Sequence, residues 1–131
     1  MGNADACKRY YQKNKSRWQE RARERYHRRR EQVAARFLEI KAAVLTHYGK
    51  NETLQCCWRD CGVVDIDMLT LDHVNDDGAT DRQSRGRTQG GGVHLYRALM
   101  TEGYPNGYQT LCANHQLKKE LLRRRTNAVE E

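Results

Sequence analysis

CCWRDCG (56–62) and LCANH (111–115) hold four of the five cysteines of this chain, and their spacing decides how its small body can fold. They form two close pairs of metal-binding side chains, far apart in sequence. The first is Cys57-x3-Cys61 or Cys56-x4-Cys61; the second is Cys112-x2-His115. Thiolates with an imidazole in this arrangement suit a tetrahedral zinc site, and four protein ligands make such a site closed and structural. The x3 spacing lies nearer the usual x2–x4 turn, so Cys57, Cys61, Cys112 and His115 form the expected ligand set, with Cys56 as the alternative to Cys57. The segment between the pairs carries few apolar residues, and metal binding can supply the missing folding energy. Isolated thiols or a disulfide are the competing readings; the arginine-rich composition without a secretory leader disfavours a disulfide. Cys7 has no partner nearby and reads as a free thiol.

The surrounding composition limits the alternatives. The chain has 131 residues, of which 37% are hydrophobic and 31% charged. Mean hydropathy is −1.03 over 15.3 kDa. This describes one domain, or a small domain with an extension, whose core is too modest to dispense with a staple. No run approaches the ~20 apolar residues of a membrane helix. The opening MGNADACKRYY has no apolar stretch of the kind a leader needs. Its Met1-Gly2 resembles a myristoylation start, but Ala6 stands where Ser or Thr is required. The expectation is an intracellular, cytoplasmic protein with no membrane partner.

Charge is unevenly distributed. Lys8 to Lys41 holds thirteen Lys/Arg against four Glu, whereas Lys50 to Leu111 holds six basic against nine acidic residues. A basic arm joined to a locally acidic body points to a polyanion gripped by the arm, with DNA the expected partner. Arg21, Arg25, Arg28 and Arg29 are the arm's candidate phosphate contacts. A solvated arginine-rich helix is the plainer reading.

Residues 8–47 lack Pro and Gly and are rich in helix formers. Val33, Phe37, Ile40 and Val44 fall on one helical face, so 33–47 is expected to dock and to end at Gly49. Upstream, Trp18, Ala22 and Tyr26 make only a thin apolar stripe, and the helix there is expected to project, fray or fold on DNA. Trp18, Tyr10, Tyr11 and Tyr26 could stack on bases, though partial helix packing is the better reading. Residues 50–67 read as loop, 68–74 as a strand, 75–92 as a polar glycine-rich loop, 93–102 as a short helix, 108–111 as a second strand and 113–125 as a helix. The expected class is α+β: a basic helical extension over 1–47, a zinc-stabilised domain over 48–125 and a disordered tail over 126–131.

Asp72-His73 ends the first strand, between the two halves of the cysteine frame. A carboxylate beside an imidazole is weak on its own, and a solvated strand-end histidine is commoner. The order CCWRDCG (56–62), LTLDHVNDDG (69–78), GGGVHLYRALMTEG (90–103) and LCANHQLKK (111–119) resembles the HNH nucleases of the His-Me finger, or ββα-metal, superfamily. It is similar to the small HNH proteins common in bacteriophage genomes, which often carry a basic helical extension. The likeness covers about half the chain, from Tyr48 to Lys119.

That resemblance implies a metal-dependent DNA endonuclease or nickase with a ββα-metal domain, leaving 5′-phosphate and 3′-hydroxyl ends. It implies His73 as general base, with Asp72 and Gln116 holding Mg²⁺ or Mn²⁺. The family usually places Asn or His where Gln116 stands, and a second Cys where His115 stands. Hard oxygen ligands suit Mg²⁺ or Mn²⁺, while the thiolates keep Zn²⁺. Lys118, Lys119 and Arg123 to Arg125 are further candidate phosphate contacts, although basic residues also suit a helix C-terminus. His94 more readily caps or packs its helix than serves a site. Asn75, Asp76 and Asp77 are explained by turn chemistry. Gly90 to Gly92 are either a linker or a close approach to phosphate. The alternatives are a non-catalytic zinc-stabilised nucleic-acid-binding module, or an accessory protein acting only within an assembly. Oligomeric state stays open, a homodimer included.

Overall fold

The computed structural model describes residues 2–86 and 90–129. In chain order it contains α1 (Gly2–His47), a single 3-10 turn (Lys50–Glu52), β1 (Leu69–His73), α2 (Gly78–Arg85), α3 (Gly92–Thr101), β2 (Tyr108–Cys112) and α4 (Ala113–Val129). The chain is therefore of mixed α+β class, with one small two-stranded sheet. It divides into two compact units, Met1–Phe37 and Leu38–Glu131.

The first unit is helical because its residues favour helix individually, not because it buries a face. Tyr10, Tyr11, Trp18, Tyr26 and Val33 are all exposed. The partial packing expected of these aromatics is therefore not formed, and Val33 does not dock. Tyr26 is instead covered on one face by the Arg30 guanidinium, 5.7 Å from its ring centroid. Arg21, Arg25, Arg28 and Arg29 are exposed along the same stretch.

In the second unit, the last turns of α1 bury Ile40, Val44 and Leu45. Full burial thus begins at Ile40, and the two compact units divide after Phe37. β1 pairs antiparallel with β2, with Leu69 opposite Cys112 and His73 opposite Tyr108. The core lies in two apolar clusters that share Leu71. Leu45, Leu69 and Leu111 pack with Cys56, Cys61 and Cys112; Val44 and Tyr48 pack with Leu95 and Leu99. Thr110 is fully buried and donates its hydroxyl hydrogen bond to the Leu45 carbonyl, 2.8 Å away. A fully buried leucine contributes roughly 1.5–3 kcal/mol. Four such leucines make a small core, in which half of one cluster is cysteine.

Two elements differ from the expected layout. The polar stretch over 75–92 contains α2, none of whose residues is buried. Gly, Thr, Asp and Ser are indifferent helix formers, so no apolar period announces this helix. It is held by polar contacts made through Asp81 and Arg85, described below. At the other end, α4 continues to Val129, so residues expected in a disordered tail are helical as far as that point. Glu130 and Glu131 lie outside the described residues.

Candidate functional site

The two cysteine stretches meet as expected, with one exchange. The Sγ atoms of Cys56, Cys61 and Cys112 and a ring nitrogen of His115 all lie within 4.8 Å of one another. Cys61 Sγ is 3.9 Å from Cys112 Sγ, and His115 Nδ1 is 3.8 Å from Cys56 Sγ and 3.1 Å from Cys112 Sγ. Zn–S bonds of ~2.3 Å at tetrahedral angles place sulfurs ~3.8 Å apart, and the Cys61–Cys112 separation is close to that. The cluster could hold a metal such as zinc.

Cys56, not Cys57, completes the set, and this corrects the ligand expected from spacing. The chain at 56–57 runs alongside β2, its Cys57 amide bonded to the Thr110 carbonyl at 2.8 Å. Successive side chains of an extended segment point to opposite sides. Cys56 therefore turns inward, where its sulfur accepts the Cys112 amide at 3.2 Å. Cys57 turns away and donates to the Tyr48 carbonyl at 3.2 Å. The x4 gap closes because Asp60 adopts a left-handed conformation, with φ 60°, and the Cys61 amide reaches back to the Trp58 carbonyl. Burial pushes the Cys56 thiol up to about 11. Cys61 moves down, chiefly through the backbone amide of Val63. The Trp58 indole stacks on His115, with ring centroids 4.9 Å apart and planes 10° off parallel. Among the cysteines outside the set, Cys7 is free and exposed.

The end of β1 carries the second group. Asp72 and His73 are neighbours on a strand, so their side chains leave on opposite faces and enter different recesses. Asp72 and Gln116 line one recess of about 420 Å³, together with Asp76 and Lys119. His73 lines another of about 260 Å³, with Asp77, Asp81, Arg85, Glu102 and Tyr108. The arrangement thus brings Asp72 and Gln116 together and holds His73 apart from them. Gln116 is fixed by α4, and its Oε1 accepts the Thr70 hydroxyl at 2.6 Å.

Lys119 is not the free phosphate contact expected of it. Its ammonium lies 2.7 Å from Asp72 Oδ2 and 3.0 Å from Asp76 Oδ1, and also donates to the His73 carbonyl. An ammonium has three protons, and three oxygens take them. Burial lowers the Lys119 pKa, but its bonds to Asp72 and Asp76 more than reverse this and leave it raised. Asp72 Oδ2 also accepts from Gln109 Nε2 at 2.9 Å. Asp76 owes its place to a left-handed turn residue, φ 57°, so the turn chemistry read from sequence is what delivers this carboxylate to Lys119. Arg123 is exposed and paired with Glu120 at 2.8 Å, a contact that water screens. His94 is exposed on α3 and lines neither recess.

On the His73 side, sequence reasoning missed every partner. His73 Nε2 lies 2.9 Å from Asp81 Oδ2, which also accepts the Tyr108 hydroxyl at 2.7 Å. Arg85 Nε donates to Asp81 Oδ1 at 2.8 Å, and its two terminal nitrogens grip Glu102 at 2.7 and 2.9 Å. Burial would raise the Asp81 carboxyl, but bonds from His73, Tyr108 and Arg85 hold it below its ordinary value. The one signal in the sequence was the Asp81/Arg85 spacing of four, which on a helix makes an ion pair.

No family model, curated protein or solved structure matches the chain. No helix among the described residues is long and apolar enough to cross a membrane.

Proposed function

We propose that this chain is a metal-dependent nuclease of the HNH type, stabilised by zinc and acting on DNA. The observation that carries the reading is the strand end. Asp72-His73 closes the first strand of an antiparallel pair, and the helix that follows the second strand sends Gln116 into the recess that holds Asp72. A phosphodiester laid across that strand end meets His73 on one side and Asp72 and Gln116 on the other.

The chemistry asked of these residues is limited. Hydrolysis needs a water deprotonated near neutral pH, which an imidazole can do. His73 takes that proton. The Asp72 carboxylate and the Gln116 carbonyl are hard oxygens, the donor type that Mg²⁺ and Mn²⁺ prefer. A cation held there supplies charge neutralisation at phosphorus and on the leaving oxygen. Lys119 must then give up Asp72. The Cys56, Cys61, Cys112 and His115 set holds Zn²⁺ away from this chemistry, and the exposed arginines of α1 supply sequence-independent grip on phosphates.

A second reading is favoured by Lys119 and Gln116. An ammonium already seated on Asp72 and Asp76, and a glutamine already bonded to Thr70, suit a zinc-stabilised module that binds nucleic acid without cutting it. Nicking of supercoiled plasmid, with Mg²⁺, Mn²⁺ or EDTA, separates the two. The nuclease reading expects cleavage with either ion and none with EDTA. Tight DNA binding with no cleavage under any ion or DNA form would select the binding module.

A further inference from the structure

We propose that Asp81 is the positioning residue of His73: it fixes the imidazole as the Nε2–H tautomer and leaves Nδ1 as the only basic atom of the ring. The consequence for cleavage rests on the nuclease reading; the hold on the tautomer does not.

The assignment follows from who can donate. Asp81 receives three contacts: Arg85 Nε at 2.8 Å on Oδ1, and Tyr108 Oη at 2.7 Å and His73 Nε2 at 2.9 Å on Oδ2. A guanidinium only donates, and a carboxylate beside it is ionised. An ionised carboxylate has no proton to give, so the proton in the His73 contact belongs to Nε2. A neutral imidazole has one ring proton; with that proton on Nε2, the lone pair is on Nδ1. Arg85 cannot swing away, because Glu102 holds its far side through two parallel bonds. The side chains of His73, Asp81 and Arg85 are 17%, 18% and 12% exposed, so water competes weakly for these contacts. A bond to a charged acceptor favours the bonded tautomer by roughly tenfold or more, in the same direction as the imidazole's own modest preference for Nε2–H.

A separate feature marks Nδ1 as the working atom. α2 begins on Gly78, a poor helix former, directly over the imidazole. A Cβ at that position would lie 3.0 Å from Nδ1 and 3.3 Å from Cε1. Glycine at 78 keeps a side chain from crowding the nitrogen that the tautomer makes basic. Asp81 and Gly78 belong to the same helix, so α2 both orients the ring and keeps a Cβ off its unprotonated nitrogen.

The test is long-range ¹H–¹⁵N NMR of the full zinc-loaded chain labelled at histidine, with His73→Gln to assign the His73 signals. The expected spectrum has Nε2 protonated and Nδ1 unprotonated when the ring is neutral. Asp81→Asn replaces an obligate acceptor with an amide that can turn either way. It should mix the tautomers, lower kcat for plasmid cleavage by ~10²-fold or more, and leave KM unchanged. A parent spectrum with Nδ1 protonated, or with the two tautomers averaged, overturns the inference whether or not the chain cleaves. So does an Asp81→Asn chain with the parent's tautomer. A parent that shows Nε2–H but never cleaves supports Asp81's hold on the ring and overturns only the nuclease reading. The parent spectrum does not depend on Asp81→Asn, so a poorly folding Asp81→Asn leaves the tautomer decided.

Discussion

The cysteine cluster and the end of β1 lie on the same small sheet and are built on opposite principles. Cys56, Cys61 and Cys112 are buried members of an apolar cluster with Leu45, Leu69 and Leu111. Asp72 and His73 line two separate recesses, Asp72 held by Lys119 and His73 by Asp81, all four largely buried. The first group is part of what holds the domain together. The second is held by the domain and gives back little net stability, because the desolvation of largely buried polar groups offsets most of what their contacts gain. Substitutions in the two regions should therefore fail in different ways.

The largest effect is expected in the cluster. Cys61→Ser should abolish stoichiometric zinc and the cooperative unfolding transition of the second unit, since structural zinc supplies folding free energy on the scale of a whole domain's stability. Cys57→Ser, one residue from the cluster, should keep the metal and cost no more than ~1 kcal/mol, the worth of one hydrogen bond. Metal analysis with thermal melts reads both. A Cys57→Ser chain that loses zinc would reverse the assignment of Cys56.

On the nuclease reading, the expected loss at the strand end is of chemistry alone. His73→Ala should keep zinc content, melting temperature and DNA affinity while cleavage falls ~10²–10⁴-fold, the usual contribution of a general base. Parent-like cleavage by a preparation free of contaminating nuclease would remove His73 from the mechanism.

Lys119→Met sharpens the contrast from the other face. It removes the tethered cation from Asp72 and Asp76 and should raise Mn²⁺ affinity by ~10-fold, or about 1.4 kcal/mol, by titration calorimetry. Unchanged or weaker Mn²⁺ binding would mean that these oxygens do not form the cation site.

The smallest effect concerns Glu102. Its carboxyl is held below its ordinary value by the Arg85 hydrogen bonds, which outweigh the opposing effect of burial, with the Arg85 charge a lesser help and the Asp81 charge a lesser hindrance. A lowered folded pKa stabilises the fold above the unfolded value. That contribution disappears as pH falls through the folded one. Because Glu102 is partly exposed, Glu102→Gln should cost less than ~1 kcal/mol at neutral pH. The difference from the parent should close below the ordinary carboxylate range of about pH 4. A difference that persists at pH 2 would place the effect in packing rather than charge.

Much of this was legible before any coordinates. The glycine- and proline-free run after residue 8 specifies a helix by propensity alone, and α1 follows it. Alternation in 68–74 and the stops at Gly103 and Pro105 mark β1 and the end of α3, because period and turn chemistry act locally. The two half-sites of the cluster were visible because ligand spacing is itself a local property. Contacts that join distant residues were not visible. Spacing separates Cys56 from Cys57 by one residue and points to the wrong one; the pairing of Cys57 with Thr110 decides which faces inward. Asp81 and Arg85 look like ordinary surface charge until α2 brings Asp81 to His73 and Arg85 to Glu102, and Lys119 looks like a phosphate contact until Asp72 and Asp76 take its protons. The sequence by itself determined which segments are helix or strand and which residues can bind metal. The tertiary structure alone decided each polar side chain's partner, because hydrogen bonds and ion pairs act over a few ångströms in space and leave no periodic trace along the chain.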